Sequence, residues 1–302
     1  MLPVFEEEEV IQALIPRIVQ AMRREGIPFE IVAVDDGSRD GSAEGLQKLR
    51  ARFPKELRLV RHLVNRGNGA SLRTGIRVAA GGIVVTMDAD GQHSPEDIPK
   101  LLAPMPPYDL VIGARRNLFQ GSWRRAAANR FFNLFSSWLS RTRIEDLTSG
   151  FRAMRRTVVL HFLPLFPTGF SAPTTTTLAF LKAGYNVTFV PIEGGKRAAG
   201  RSKIRLWEDG TRFVMLILRM IILYDPLRIF LPMGVGLSLL GVLAWIAGWI
   251  EAQRLVLPNS AIFLFSAAIL VWLLGFMSDQ ITSTRIHYLG DEHVVGLEEP
   301  GE

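Results

Sequence analysis

Two aspartates one residue apart, Asp88 and Asp90, follow an apolar run at Ile83–Met87. If a strand continues through them, both side chains point to the same face of a sheet. Two carboxylates placed in this way repel each other unless a cation lies between them, and a hard divalent ion with oxygen ligands suits such a pair. The alternative is an acidic turn without a ligand, because Asp and Gly are ordinary turn residues at strand ends.

A second acidic strand end occurs earlier in the chain, where Asp35 and Asp36 follow the apolar run Phe29–Val34. Each acidic end alone is weak evidence for a site. Neighbouring strands of one α/β sheet can, however, bring two such ends to the same cleft. The two strand ends together therefore favour a ligand site over two unrelated turns.

The elements that must position these residues alternate between β-rich apolar runs and helical patterns through the first 203 residues. Such alternation predicts an α/β domain with a mostly parallel sheet covered by helices, in which ligands bind at the carboxyl ends of the strands. The predicted strands are Phe29–Val34, Leu57–Val64, Ile83–Met87, Leu110–Ile112 and Val187–Val190. The predicted helices are Val10–Glu25, Ser42–Phe53, Ala70–Ala80 and Pro95–Leu102.

Two long segments, Ile229–Ile250 and Leu255–Ser278, carry no charged residue. About 20 apolar residues cross the hydrocarbon core of a bilayer, so both segments are long enough to be transmembrane helices. The alternative is a pair of core helices in a soluble domain. Two uncharged segments separated only by the short link Glu251–Arg254 favour the membrane interpretation.

Basic residues flank the two apolar segments on the side of the large N-terminal region, whereas the link carries only Arg254. By the positive-inside rule we expect an integral protein of the cytoplasmic (inner) membrane whose large N-terminal region faces the cytoplasm. The acidic opening MLPVFEEEEV does not resemble a secretory signal peptide, and the absence of cysteine is compatible with a reducing compartment. The flanking basic residues are Lys203, Arg205, Arg212, Arg219, Arg228 and Arg285.

A helix rich in Leu, Ile, Met and Phe is predicted over Ile204–Leu227, where Arg205, Arg212 and Arg219 recur every seven residues. A basic stripe on an apolar helix is typical of a helix in the membrane interface, and a surface helix packed on the soluble region is the alternative. The predicted regions are 1–203 for the α/β domain, 204–228 for the interfacial helix, 229–278 for the two spans and 279–302 for a cytoplasmic tail.

Five segments in order along the chain carry a resemblance to a known family: VDDGSRDGS, NRGNGASLRTGI, MDADGQHSPEDI, VIGARR and DLTSGFRAMRR. Together they resemble the nucleotide-sugar-dependent GT-A glycosyltransferases. With the later GRSK and the two apolar segments, residues 2 to about 285 resemble the polyprenyl-phosphate glycosyltransferases. That group contains dolichyl-phosphate mannose synthase and the bacterial undecaprenyl-phosphate glucosyl- and aminoarabinosyltransferases. The resemblance implies a GT-A, Rossmann-like fold.

The resemblance also implies roles for residues on the donor side. Asp35 and Asp36 match the acidic pair that contacts the base and ribose of the donor nucleotide. Asp88 and Asp90 match the DxD motif that holds Mg²⁺ or Mn²⁺ on the donor diphosphate, with Gln92 as a further ligand. The remaining implied residues are Ser149 in the donor site and Asp146, Arg115 and Asp90 as the catalytic group, with Arg152 in the same motif as Asp146.

A basic stretch before the apolar segments is the predicted acceptor side. A lipid phosphate is largely ionised at neutral pH, with a second pKa near roughly 6, so bringing two anions together needs cations more than a strong base. The alternative for this stretch is a solvated or lipid-facing charge run, and for Arg115 and Arg152 it is an ion pair within the domain. The predicted acceptor residues are Lys196, Arg197, Arg201, Ser202 and Lys203.

The chain departs from the family pattern at its start, where Pro3 and Glu7 match donor-site positions but Glu6 stands where Asn is usual. Only LPVFEEE remains of the family's first strand, so either this sequence starts too late or the sheet lacks that edge. Thr174–Thr177 are expected to begin a helix poorly and have no assigned function. His93 and the other four histidines show no metal-ligand spacing and are interpreted as structural or surface residues.

These inferences predict a metal-dependent enzyme that transfers a sugar, with inversion, from a donor such as UDP-glucose or GDP-mannose to undecaprenyl or dolichyl phosphate. We expect a nucleotide sugar, a polyprenyl phosphate and the membrane as partners and no nucleic acid; a homo-oligomer is compatible with the sequence. One alternative is a membrane-anchored scaffold that binds nucleotide sugars. The others are a processive polysaccharide synthase, whose QxxRW motif is absent here, and an Asp-dependent phosphatase or phosphotransferase, whose DxDxT continuation is absent.

Overall fold

The computed structural model describes residues 1–115, 123–168, 172–193, 218–219, 221–222, 225–253 and 257–290. The chain divides into two compact units, Met1–Arg212 and Phe213–Glu302. Most of the predicted interfacial helix lies outside the described residues. So do all of the predicted acceptor residues, namely Lys196, Arg197, Arg201, Ser202 and Lys203.

The described strands of the first unit are β1 (Leu2–Val4), β2 (Ile31–Asp35), β3 (Leu57–Arg61), β4 (Ile83–Thr86), β5 (Leu110–Arg115), β6 (Arg152–Arg155) and β7 (Val187–Ile192). β1, β2 and β3 pair in parallel, and so do β5 and β7, while β6 runs antiparallel between β4 and β5. The predicted α/β class with a mostly parallel sheet is confirmed. β6 was not predicted, because four residues are too few to show a period of two.

Of the two alternatives for the shortened start, a sheet that lacks its first strand is wrong. β1 pairs with β2 over three residues, with Pro3 opposite Val34. On its other side, the Met1 amino group donates to the carbonyl oxygen of Val85 at 2.7 Å, and the Met87 N–H donates to the Met1 carbonyl oxygen at 3.2 Å. Hydrogen bonding on both sides defines this short strand, which joins β2 to β4 and which no sequence period could reveal.

The helices of the first unit are α1 (Glu8–Glu25), α2 (Ser42–Arg52), α3 (Asn68–Val78), α4 (Ile98–Leu102), α5 (Trp123–Ser140), α6 (Arg156–Phe162) and α7 (Ala172–Lys182). α1 to α4 correspond to the predicted helices, and a 3₁₀ turn at Pro95–Asp97 forms the start of the fourth. α5, α6 and α7 were not predicted. α1 places Ile11, Ile15 and their helical neighbours in the core that covers the sheet, as its apolar spacing requires.

The expectation that Thr174–Thr177 begin a helix poorly is also wrong, because α7 starts at Ala172 and contains all four threonines. Pro173 suits the first turn, where the N–H that proline lacks has no helical partner in any case. Thr176 Oγ1 donates to the Ala172 carbonyl oxygen at 2.7 Å and Thr177 Oγ1 to that of Pro173 at 3.0 Å. Carbonyls one turn earlier thus satisfy these buried hydroxyls.

The second unit contains α8 (Leu227–Ala252) and α9 (Asn259–Gly290), and both are long and apolar enough to cross a membrane. The helices begin and end a few residues away from the predicted spans. α9 continues past Ser278, so the first part of the predicted tail 279–302 is helical.

Three glycines of α8, spaced by seven residues, lie against α9. A Cβ added at any of them would overlap a bulky residue, which is Trp272 or Phe265 of α9 or Pro258 just before α9. Small residues at such contacts let two apolar helices approach closely in a membrane, where packing rather than the hydrophobic effect holds helices together. The three glycines are Gly234, Gly241 and Gly248.

Candidate active site

Asp88 and Asp90 lie in the turn after β4 and not on the strand, because β4 ends at Thr86. The condition under which both side chains would share one strand face is therefore not met. Asp90 Oδ1 accepts a hydrogen bond from the Gln92 N–H at 3.1 Å, and both aspartates are half-buried. The turn, rather than the pleat of the strand, positions the two carboxylates.

The Asp88 carboxylate packs directly against Gly150. A Cβ built at Gly150 would overlap this carboxylate. Thr86 Oγ1 donates to the Gly150 carbonyl oxygen at 2.8 Å, which ties the end of β4 to the turn before β6. Gly150 is thus a site residue that the sequence analysis missed, although its place in DLTSGFR was a signal that could have found it.

The guanidinium of Arg115, the last residue of β5, holds Asp146 through two hydrogen bonds. Its Nε donates to Asp146 Oδ2 at 2.7 Å and its Nη2 donates to Oδ1 at 3.1 Å. The Thr148 N–H adds a bond to Oδ1 at 3.2 Å, and Asp146 is only 1% exposed. The alternative that we left open for Arg115, an ion pair within the domain, is present in the structure, and its partner is the other predicted catalytic residue.

Three aspartates and two arginines share one electrostatic environment. Burial opposes the charge of Arg115, but hydrogen bonding to Asp146 and the charges of Asp146, Asp88 and Asp90 raise the Arg115 pKa. Burial lowers the pKa of Arg152 to about 10, against the opposing pull of Asp146 and Asp88. A carboxylate raises the pKa of a guanidinium in this way only when the two groups lie close together. Asp146 and Asp88 therefore lie near both guanidinium groups, and Asp90 lies near that of Arg115.

His93 is a buried neighbour of this group. It is 4% exposed, and its ring stacks on Phe151 with the ring centroids 5.1 Å apart. Burial lowers the His93 pKa to about 4, although the nearby Asp90 charge acts in the opposite direction. His93 Nδ1 has no hydrogen-bond partner in the part of the chain that the structure describes. The imidazole is therefore uncharged at neutral pH, and it is structural rather than a surface residue.

Asp36 has a carboxylate that protein donors already occupy. His62 Nδ1 lies 2.6 Å from Asp36 Oδ1, which also accepts from the Arg66 N–H at 3.0 Å. Asp36 Oδ2 accepts from the Gly67 N–H at 2.7 Å, and the other ring nitrogen of His62 lies 2.9 Å from Thr74 Oγ1. Asp36 is 3% exposed. In this arrangement Asp36 fixes the loop between β3 and α3.

Asp35 is equally buried but makes fewer bonds. Its Oδ1 accepts from the Ser38 N–H at 3.0 Å. Arg61 Nε lies 3.0 Å from its Oδ2, as an ion pair without hydrogen-bond geometry. Asp35 thus retains hydrogen-bonding capacity at the end of β2, and β1 separates this acidic end from the one after β4.

The other predicted donor residues differ in their surroundings. Ser149 is fully buried, and its Oγ accepts from the Phe151 N–H at 3.3 Å, so protein encloses this hydroxyl. Pro3 lies within β1, and Glu7 precedes α1 with its N–H donating to Ser42 Oγ at 3.0 Å. Pro3 and Glu7 are both half-buried.

The residues after β4 suit a hard divalent ion. Asp88, Asp90 and Gln92 offer oxygen donors from one turn, and these are the donors that Mg²⁺ and Mn²⁺ prefer. Within the described ranges, no three His, Asp or Glu side chains are grouped closely enough to form a complete ligand set.

Two family models match this chain. The model described as Glycosyl transferase family 2 matches residues 1–162, and the model described as GtrB C-terminal hairpin matches residues 225–284. The undecaprenyl-phosphate 4-deoxy-4-formamido-L-arabinose transferase of Pseudomonas savastanoi pv. phaseolicola is 31% identical over 255 residues, which cover 80% of this chain and 70% of that protein. The protein of the same name from Pseudomonas paraeruginosa is 31% identical over 297 residues, with 91% and 81% covered.

Solved structures share the fold of the first unit. Glucosyl-3-phosphoglycerate synthase from Mycobacterium tuberculosis, in complex with Mn²⁺ and UDP-glucose, superposes with a TM-score of 0.55 at 23% identity and covers 73% of this chain and 76% of that one. Its complex with Mn²⁺, UDP and phosphoglyceric acid gives a TM-score of 0.56, also at 23% identity, with 73% and 75% covered.

Proposed function

This chain belongs to glycosyltransferase family 2 and to its polyprenyl-phosphate glycosyltransferases, and we propose that it transfers a sugar from a nucleoside-diphosphate sugar to a polyprenyl phosphate at a membrane. One observation carries the proposal. Asp88 and Asp90 follow β4, where both of their charges act on the guanidinium of Arg115 and that of Asp88 also acts on Arg152, in a chain that also has two helices able to cross a membrane.

The turn after β4 is the proposed site of the donor diphosphate. Asp88, Asp90 and Gln92 would hold Mg²⁺ or Mn²⁺ there, and a bound ion would neutralise negative charge on the leaving diphosphate. A solved structure of the same fold in complex with Mn²⁺ and UDP-glucose supports a divalent ion as the cofactor. Asp35 is the better candidate of the first acidic pair for contacting the nucleoside, because protein donors already occupy Asp36.

The proposed reaction is a single displacement. An oxygen of the lipid phosphate forms the new bond to the anomeric carbon while the bond to the nucleoside diphosphate breaks, which inverts the configuration. The ionised phosphate needs little help from a base. Both oxygens of Asp146 accept hydrogen bonds from Arg115, which supports a role in holding Arg115 towards the sugar and phosphates rather than in proton abstraction.

The membrane delivers the acceptor in this proposal. α5 exposes Phe131, Leu134 and Trp138, which recur at helical spacing and have 48–63% of their surface accessible. Such an apolar face, together with the exposed Arg130, supports contact of the first unit with the membrane interface. The basic residues from Lys196 to Lys203 remain the proposed acceptor-phosphate group on sequence grounds.

We also propose that the first unit faces the cytoplasm, since basic residues flank the two helices on its side. The absence of native cysteine permits a clean test. In intact cells, a membrane-impermeant maleimide should label Glu251→Cys at the end of α8 and leave Lys55→Cys in the first unit unlabelled. The reverse pattern would contradict this orientation.

The sugar is best tested with a donor panel. The curated relatives are named for 4-deoxy-4-formamido-L-arabinose, which supports including its UDP derivative beside UDP-glucose and GDP-mannose. Membrane-embedded protein is incubated with each donor, undecaprenyl or dolichyl phosphate and Mg²⁺ or Mn²⁺, with EDTA as control. We expect lipid-dependent release of nucleoside diphosphate from one donor class. Metal-dependent donor binding without any transfer would instead identify a scaffold.

A further inference from the structure

Arg152, at the start of β6, is a buried cation held by neutral groups. It is 2% exposed. Its Nε and Nη2 donate to the Ser149 carbonyl oxygen at 3.1 and 2.6 Å. Its Nη1 donates to the Pro173 carbonyl oxygen at 2.8 Å and to Thr177 Oγ1 at 3.2 Å. A guanidinium removed from water normally needs a carboxylate partner, so this arrangement requires an explanation.

The partners of Arg152 belong to two segments. The Ser149 carbonyl lies in the turn before β6, one residue from the Gly150 surface on which the Asp88 carboxylate packs. Pro173 and Thr177 lie in the first two turns of α7. Arg152 therefore links the first turns of α7 to the turn that supports Asp88.

A small cavity lies at the same place. Its lining includes Asp88, Gly150, Arg152, Thr86 and Thr176, so the first turns of α7, the guanidinium and the metal-ligand candidate share one enclosure. The nearby charges that act on Arg152 are those of Asp146 and Asp88. The cation thus lies close to the acidic site without a direct ion pair to it among the described residues.

We propose that Arg152 and Thr177 of α7 form a positioning unit for Asp88: they fix the Ser149–Gly150 turn and thereby the carboxylate that faces the metal. This inference rests on the proposed function, because it assigns Asp88 to a metal site. It gives a role to the threonine segment of α7. Thr177 bonds the guanidinium directly, and its hydroxyl is oriented by its own bond to the Pro173 carbonyl oxygen.

Binding of Mn²⁺ tests this unit without measuring turnover. The informative variant is Thr177→Val, which keeps size and charge but removes the acceptor for Arg152. The matched control is Thr175→Val in the same helix: Thr175 is equally buried, and its hydroxyl is not a partner of Arg152. Arg152→Lys keeps the charge but loses the fork of donors. Mn²⁺ is titrated into full-length protein in detergent, alone and with UDP, and the free ion is followed by electron paramagnetic resonance.

We expect the Kd for Mn²⁺ to rise about tenfold in Arg152→Lys, as for loss of a group that orients a metal ligand. In Thr177→Val we expect a rise of about threefold, because the Arg152 guanidinium loses one of its four hydrogen bonds. Thr175→Val should bind as the wild type does, and thermal unfolding identifies any variant that fails to fold. Equal Kd values for the two threonine variants overturn the inference while wild-type binding leaves the proposed function standing. No Mn²⁺ binding by the wild type, with or without UDP, contradicts both.

Discussion

The two acidic strand ends look alike in sequence, yet the structure uses them differently. At the end of β2 and β3, Asp36 is paired with His62, and both ring nitrogens of that histidine have partners. After β4, Asp90 lies near His93, whose Nδ1 has no partner within the described ranges. Protein donors occupy the carboxylate of Asp36, whereas Asp90 lies near a buried, uncharged histidine and near the guanidinium of Arg115.

The difference separates Asp36, an acidic residue that fixes a loop, from Asp88 and Asp90, which we propose as metal ligands. Asp36 accepts the N–H groups of Arg66 and Gly67 and is almost fully buried, so its charge is compensated by the fold itself. Asp88 and Asp90 are half-buried, and their charges act on the guanidinium groups around them. Substituting Asp36 should therefore mainly lower stability, whereas substituting Asp88 or Asp90 should mainly lower activity.

The largest expected effect is on activity, at the second end. Asp90→Asn removes a proposed metal ligand worth several kcal/mol to the transition state, so we expect kcat/KM to fall about 10³-fold. The free energy of unfolding should change by less than about 1 kcal/mol, because Asp90 is half-buried and the lost attraction to Arg115 is offset by weaker repulsion among the aspartates. Both are measured on the same purified protein. A variant that loses stability and keeps its activity would reverse the roles assigned to the two ends.

Asp146→Asn tests the buried ion pair between Asp146 and Arg115, which lies beside the second acidic end. It leaves the Arg115 guanidinium without its carboxylate, and breaking a buried ion pair costs about 3–5 kcal/mol; since Arg115 keeps part of its surface exposed, we expect the lower end of that range. Denaturant unfolding measures the loss. Turnover is then measured at a temperature where the variant stays folded. Near wild-type turnover there would remove Asp146 from the proposed catalytic group.

The sequence predicted the alternation of strands and helices because apolar periods are local, and it predicted the DxD turn because its residues are adjacent. The pairing of Asp146 with Arg115 depends on segments 31 residues apart, although both residues lay in recognised motifs. The hydrogen bonds that occupy the Asp36 carboxylate were not predictable, because no motif assigns His62 and Gly67 as its partners. β1 was missed for the same reason: its neighbours β2 and β4, and not its three residues, define it.

Protonation of His93 provides a third test of the second acidic end, which follows β4. Its folded pKa of about 4 lies below the ordinary value of 6.5, so between these values the unfolded chain binds a proton that the folded chain does not. Stability therefore falls as pH drops through this window, by about 3 kcal/mol in total. His93→Phe preserves a ring against Phe151 but cannot be protonated. The free energy of unfolding is measured in EDTA at pH 7 and pH 4, and it should fall less between these values for His93→Phe than for the wild type. Equal decreases would mean that His93 is not held neutral.

The smallest expected effect is on stability, and it follows from substituting Asp36 at the first acidic end. In Asp36→Asn, the amide nitrogen faces either the Arg66 N–H or the Gly67 N–H, because these donors bond different carboxylate oxygens. One buried donor is then left unpaired, which costs about 2 kcal/mol, while kcat/KM of the folded protein should stay within about tenfold of wild type. Thr74→Val is the graded control: it removes only the outer bond to His62 and should cost about 1 kcal/mol. If Asp36→Asn instead abolished donor binding in a protein of unchanged stability, Asp36 would be a ligand of the nucleotide, and its contrast with Asp88 and Asp90 would fail.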